Sequence, residues 1–298
     1  MTRVVEVPSH FDDRTFDQFA REYGIPAPGG DRLLFDAHAT QWASPYGLVG
    51  LLAAGHAELE RRHERSLLTL PGDRDVAHYW ARAGFLQYAP EYFELHGKAP
   101  KVQPAAESDV LLEVTPVRGA DDVHGVVERI QERAAAILTR ELGLEAQATM
   151  GFAMALSESC QNIVEHAGTG GWVAVQTYHW RRTLKRRVVV IAVADAGVGF
   201  RRSLEPTQAK RFGDRWGDAS ALEAALIQGV SRFRDPGRGQ GLAGIRRYLS
   251  RWAGKLSVRS GTARIAIVPP WDDDVPLADG LPDFPGSQVL MIIPAQHQ

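Results

Sequence analysis

Residues 188–194 read Val-Val-Val-Ile-Ala-Val-Ala without a polar interruption, and the run ends on Asp195, followed by Ala196-Gly197-Val198-Gly199. An unbroken apolar run of this length means a central strand, with Asp195 where that strand surfaces. The two glycines let the chain turn sharply and approach a ligand closely. The competing reading of Asp-x-Gly-x-Gly after a strand is a simple turn.

The rest of the chain supplies neighbours for that strand. Trp172 to Tyr178 is predicted as a strand joined to Val188–Asp195 through the basic turn Arg181 to Arg187. Lys255–Arg259, Ala263–Val268 and Gln288–Ile293 read as three more. Val123, Val126, Val127, Ile130, Ala134, Ile137 and Leu138 give an amphipathic helix over 121–142. Met150, Ala153, Leu156, Cys160, Ile163 and Ala167 mark a second over 146–167. A shorter helix is expected over 218–232, and Leu242, Ile245, Leu249 and Trp252 mark another. Two long helices followed mainly by strands predict a two-layer α/β sandwich. Upstream, Arg32–Asp36 and Ser66–Leu70 read as strands. Leu48, Leu51, Leu52 and Leu59 have near-helical spacing, and 75–83 reads as a helix, so this part is a small α/β domain. The Pro-containing stretch Gly97 to Asp109 lacks apolar periodicity. The division is therefore residues 1–97 as a small regulatory or interaction domain, 98–109 as a linker and 110–298 as the larger domain.

Composition narrows the function classes. A formal net charge of -2 gives no general attraction to nucleic acid or a membrane surface. The single cysteine, Cys160, rules out an internal disulfide framework and a Cys-rich zinc site. No apolar run approaches the roughly 18 residues of a membrane helix, and Met1 to Pro8 lacks a signal-peptide core. The expectation is a soluble cytoplasmic protein.

Three elements carry the chemistry. Glu158 and Asn162 lie four apart on one predicted helical face, beside the apolar stripe. An amide oxygen can ligate a magnesium ion already held by phosphate oxygens, and a carboxylate one turn away can orient or deprotonate a hydroxyl or water. Asp195 can accept a hydrogen bond from the exocyclic amine of adenine. Gly237-Arg238-Gly239-Gln240-Gly241-Leu242-Ala243-Gly244 opens a helix, and glycine amides at a helix N-terminus suit phosphate oxygens. The stretch formally contains a dinucleotide fingerprint, but no strand precedes it and no acidic residue falls about 20 positions on. Taken singly, each element has an ordinary reading: an exposed Glu and Asn, a turn, a glycine-rich loop.

Their order resembles the GHKL ATPase superfamily over roughly 121–294, and the serine kinases or ATPases of anti-sigma-factor type within it, because the pattern Ser157-Glu158-x-x-x-Asn162-x-x-x-His166 resembles their version of the helix. The resemblance implies ATP and Mg2+ as cofactors, with Asn162 on magnesium and Glu158 as general base. It implies Asp195 reading adenine with Gly197 and Gly199 shaping its pocket, and Gly237, Gly239, Gly241 and Leu242 along the phosphates. Ser287, after Gly286, would face the nucleotide, and Phe200 to Pro236 would form a polar, irregular lid. Leu33-Leu34-Phe35-Asp36 followed by Ser44-Pro45-Tyr46-Gly47-Leu48 resembles the sulfate-transporter and anti-sigma-antagonist (STAS) fold, with Pro45 at the usual acceptor position. The implied function is a Mg-dependent ATP-binding regulator, a protein serine/threonine kinase or ATPase in a partner switch. Its partner would be a sigma factor, an antagonist or another STAS-type protein, and homodimerisation stays open. The alternatives are a non-catalytic ATP-gated module and a dimeric ATP clamp. The clamp ranks last because it normally needs a further domain bearing a catalytic lysine.

Overall fold

The computed structural model describes residues 2–26, 31–100, 110–119, 128, 157, 159–161, 167–180, 184–229 and 241–295. The first part runs β1 (Thr2–Glu6), β2 (His10–Phe11), α1 (Phe16–Gly24), β3 (Arg32–Asp36), β4 (Trp42–Ala43), α2 (Pro45–Arg62), β5 (Ser66–Thr69), α3 (Arg74–Arg82), α4 (Phe85–Tyr92) and β6 (Phe93–His96). Strands β1, β3, β5 and β6 pair in that order and all in parallel, as alternating strands and helices require. The expected α/β character is present. The short outer elements β1, α1, α4 and β6 were not foreseen.

Helix α2 ties the two parts together. Ser44 caps it by accepting from the Gly47 N–H at 3.2 Å, Pro45 occupies its first turn, and His63 ends it in the left-handed region at φ 57°. Leu48, Val49, Leu51, Leu52, Ala53 and Ala54 are all fully buried, the pattern of a helix covered on both sides. On one side α1 and the first sheet approach so closely that a Cβ at Gly50 would enter the ring of Phe16 of α1 and one at Gly55 the ring of Phe93 of β6. On the other side lies a second sheet. Each of the three leucines contributes about 1.5–3 kcal/mol by leaving water.

That second sheet is built from β7 (Val110–Val117), β8 (Gly171–Trp180), β9 (Arg186–Asp195), β10 (Lys255–Ser260), β11 (Ala263–Ile267), β12 (Leu277–Ala278) and β13 (Ser287–Pro294). Its order is β12-β11-β10-β13-β9-β8-β7, with every neighbour antiparallel. Helices α5 (Gly199–Phe212), α6 (Asp218–Leu226) and α7 (Gly241–Arg251) belong to the same part. Val189, Ile191 and Val193 of β9 join Leu204, Leu222, Ile245 and Leu249 of these helices in one core. Val188, Val190, Ala192 and Ala194 point the other way, into a core shared with α2 and the aromatic residues of α1. The unbroken apolar run is thus explained by burial on both faces.

This extends the expected two-layer sandwich: the second face of the sheet carries α2 and the first sheet instead of water. β10 shows it most clearly. Lys255, Ser257 and Arg259 alternate with Leu256 and Val258, a pattern that normally marks a solvated face, yet all five are buried. Lys255 Nζ stands 3.1 Å from carboxylate oxygens of Asp13, Asp272 and Asp274. Arg259 pairs with Asp17 at 3.2 Å, and Arg264 with Asp17 and Asp274. Asp13 and Asp17 come from the beginning of the chain, so this ion-pair seam joins its two ends.

Within the stretch Phe200 to Pro236 the helix expected from Asp218 is present as α6, but the part before it, read as irregular, is also helical, through α5 and a 3-10 turn at Gly213–Arg215. Only Ser203 and Leu204 of α5 are buried and Pro206 sits inside it, so neither periodicity nor propensity announces a helix there. Helix α6 stops at Leu226, earlier than expected. The predicted helix over 121–142, apart from residue 128, and most of that over 146–167 fall outside the described residues. Ser157, Ser159, Cys160 and Gln161 are helical as expected. Cys160 is fully buried, and burial pushes its thiol up to about 12. Of the linker, residues 101–109 lie outside the described set, as do Arg181 and Arg182 of the basic turn, while Arg186 and Arg187 already belong to β9.

Candidate nucleotide site

β9 delivers Asp195 to the edge of the helix-side core, the residue 5% exposed. Gly197 donates its backbone N–H to Asp195 Oδ1 at 2.8 Å. Ser287, the first residue of β13, donates both its N–H and its hydroxyl to the same carboxyl. Burial drives the Asp195 carboxyl upward, the hydrogen bonds from Gly197 and Ser287 pull against it, and it settles at about 7. A carboxyl so placed holds unused acceptor capacity near neutral pH in a nearly dry setting. Strongly shifted groups of this kind cluster at functional sites.

The loops around it are drawn tight by glycine. Gly286 has φ 69°, and a Cβ there would collide with the Asp195 backbone. Gly197 packs on Ala167 at the end of the preceding helical segment, again too closely for a side chain. Gly199, at φ 71°, turns the chain into α5. Ser260 staples both loops: its Oγ accepts from the Phe200 N–H at 3.0 Å and donates to the Gly286 carbonyl at 3.0 Å. Next to it, Phe284 is buried among Phe16, Phe19 and Tyr23 of α1.

The structure thus brings together Asp195, Gly197, Gly199 and Ser287, four of the residues singled out in the sequence. Gly241 begins α7, with Leu242 in its first turn. Glu158, Asn162, Gly237 and Gly239 lie outside the described residues, as does His166. Among the described residues no group of three or more His, Cys, Asp or Glu side chains is placed to hold a metal ion. Sequence reasoning missed Ser260, Phe284 and the packing role of Gly286. A glycine ahead of a hydroxyl residue at a strand start signalled the last; nothing local signals the other two, which act across the fold.

A cleft of about 560 Å³ borders the outer side of the same loops, with Val198, Arg201, Arg202, Asp218, Asp283 and Phe284 among its walls. Asp195 does not line it. Ser44 and Tyr46, the hydroxyl bearers noted near the STAS-like motif, are both buried, Ser44 as the α2 cap and Tyr46 against Phe16.

Asp195 thus offers a buried acceptor, with the Ser287 hydroxyl beside it and glycine loops that hold both. Residues 122–257, a little under half of the chain, match the family model described as the histidine kinase-like ATPase domain. That match supports an ATP-binding domain of GHKL type and spans from the predicted first helix to the start of β10. No curated protein matches the chain. Among the described residues no helix is long and apolar enough to cross a membrane.

Proposed function

We propose, from the premise of a histidine kinase-like ATPase domain in residues 122–257, that this chain is a Mg-dependent, ATP-binding regulator that transfers the γ-phosphoryl group to a protein hydroxyl or to water. The observation that carries the reading is the buried Asp195–Ser287 pair at the end of β9, a preformed acceptor for the adenine amine. In this reading Asn162 would hold magnesium between phosphate oxygens, and Glu158 would take the proton from the attacking hydroxyl or water. Gly237, Gly239, Gly241 and Leu242 would lie along the phosphates at the α7 N-terminus. The magnesium ion, when bound, would neutralise the developing charge on the transferred group.

The partner-switch role, with an anti-sigma-type partner, rests on the likeness of the first 97 residues to a STAS fold and on their parallel sheet. Buried Ser44 and Tyr46 make poor acceptors; in this reading the acceptor hydroxyl lies on another molecule, such as a sigma factor, an antagonist or a second STAS-type protein. A cytoplasmic setting goes with that role.

The test is incubation of the whole chain with γ-labelled ATP and magnesium, with and without lysate of the source cell. Label on a protein supports the kinase reading, and free phosphate supports the ATPase reading. Binding without either supports a non-catalytic ATP-gated module, a second reading favoured by the seam between Asp17 and β10. Glu158→Gln is expected to keep ATP affinity within about twofold while turnover falls on the order of 10²-fold or more. Equal turnover in the variant would remove Glu158 as the base. ATP affinity itself is expected to weaken as pH falls from 8 to 6, because protonation near pH 7 takes away the carboxylate acceptor. A flat profile by calorimetry would argue against Asp195 as the adenine contact.

A further inference from the structure

The loop 282–286 runs between two places that are far apart in sequence. At one end Phe284 is 1% exposed, its ring centroid 4.9 Å from Phe16, 5.4 Å from Tyr23 and 6.1 Å from Phe19, all on α1. The Arg259 guanidinium lies 5.7 Å from the centroids of both Phe16 and Phe284, so a cation bridges the two rings. The same guanidinium bonds Asp17 of α1 and the carbonyls of Gly261 and Pro282. At the other end, two residues after Phe284, Gly286 presses on the Asp195 backbone and Ser287 bonds the Asp195 carboxyl. Ser260, next to Arg259 on β10, holds the Gly286 carbonyl.

We propose that Phe284 is a positioning residue through which α1 sets how well the site distinguishes adenine. The inference rests on the reading of Asp195 as the acceptor for the adenine amine. The physical reason is lever length: a strap of so few residues, pinned in an aromatic nest at one end, cannot shift there without moving Gly286 and Ser287. Ser287 fixes the direction in which the Asp195 carboxyl points. A nest that packs loosely therefore costs directional hydrogen bonding before it costs the fold, because the apolar burial of Phe284 can be met by another apolar side chain. The same coupling works in reverse: ATP held by Asp195 makes the nest harder to open.

The experiment compares ATP with inosine triphosphate, which carries a carbonyl oxygen where adenine has its amine. Dissociation constants are measured by calorimetry on the full chain at pH 8 with magnesium. The unsubstituted protein is expected to bind ATP about tenfold or more tightly than inosine triphosphate. Phe284→Leu, and Phe16→Leu on the opposite side of the nest, are each expected to cut that ratio by about threefold or more while melting in a single cooperative step. A purely structural role would lower the melting temperature and leave the ratio alone. Lack of discrimination in the unsubstituted protein overturns the Asp195 reading, and the proposal with it. Discrimination that survives in both folded variants overturns the proposal alone. If neither variant folds, amide hydrogen exchange on the unsubstituted protein decides. ATP should slow exchange in residues 16–24 as well as 282–287, and unchanged exchange in 16–24 overturns the coupling.

Discussion

Asp195→Asn is expected to raise the melting temperature at pH 8 while removing ATP binding. Burial lifts the Asp195 carboxyl from 3.8 to about 7, against the pull of Gly197 and Ser287. A group raised in the folded state gives stability that is complete below its unfolded value and is lost as pH rises through its folded value. Here that window runs from about pH 4 to about pH 7. By pH 8 the fold carries a buried carboxylate whose ionisation costs on the order of 4 kcal/mol relative to the unfolded chain. Asparagine is nearly isosteric and neutral, and its carbonyl can still accept from the Gly197 N–H. A part of that cost is recovered, on the order of 1–3 kcal/mol, or several degrees for a chain of this size. At pH 3.5, below both values, the carboxyl is neutral in the folded and the unfolded chain alike, and the gain vanishes. Thermal melts at both pH values, with calorimetric ATP titration, check the pattern. A variant that is less stable at pH 8 and still binds ATP would contradict both halves.

The opposite sign is expected for Lys255→Met. Burial, the largest single influence, pushes the Lys255 ammonium down, but Asp13, Asp272 and Asp274 together hold it above its usual value. Burial likewise pushes the Asp274 carboxyl up, and Lys255 and Arg264 outweigh it to hold the carboxyl down. Removing the ammonium leaves Asp272, 5% exposed, and Asp274 close to it without their main partner. Breaking one side of a buried ion pair costs about 3–5 kcal/mol, a large share of the roughly 5–15 kcal/mol that holds a typical domain together. The loss should be full between about pH 5 and pH 10. It should shrink towards pH 3, as the Asp274 carboxyl, which Lys255 helps to hold below its usual value, becomes neutral. Urea unfolding at pH 3.5 and pH 7 separates this from simple loss of packing, which would cost the same at both. Arg14 and Asp273 extend the seam at 2.8 Å but sit in water, and their pair is expected to matter little.

The central strand was legible because burial on both faces leaves a one-dimensional signature, the unbroken run 188–194. Asp195, Gly197, Gly199 and Ser287 were legible because turn glycines and a strand-end carboxylate are local motifs. The cover on the sheet's second face was not. Lys255, Ser257 and Arg259 read as a solvated stripe, and only Asp13 and Asp17, more than two hundred residues away, turn them into an interior. Helix α5 was missed for the reverse reason: a helix that buries little has no stripe to read. Phe284 gives no local signal, since an aromatic residue between prolines looks the same whether it plugs a distant nest or lies on a loop.

Helix α2 lies inside one core that both sheets share, and this has a consequence for how the chain can be taken apart. The seam near residue 100 marks a change of topology without marking a gap in packing. A fragment beginning at residue 110 would present Val188, Val190, Ala192, Leu290 and Ile292 to water as a continuous bare strip, together with the orphaned charges of β10. Its natural fate is self-association. Inheritance is constrained in the same way: neither half can be exchanged with a relative's unless α2 and the face beneath it travel together.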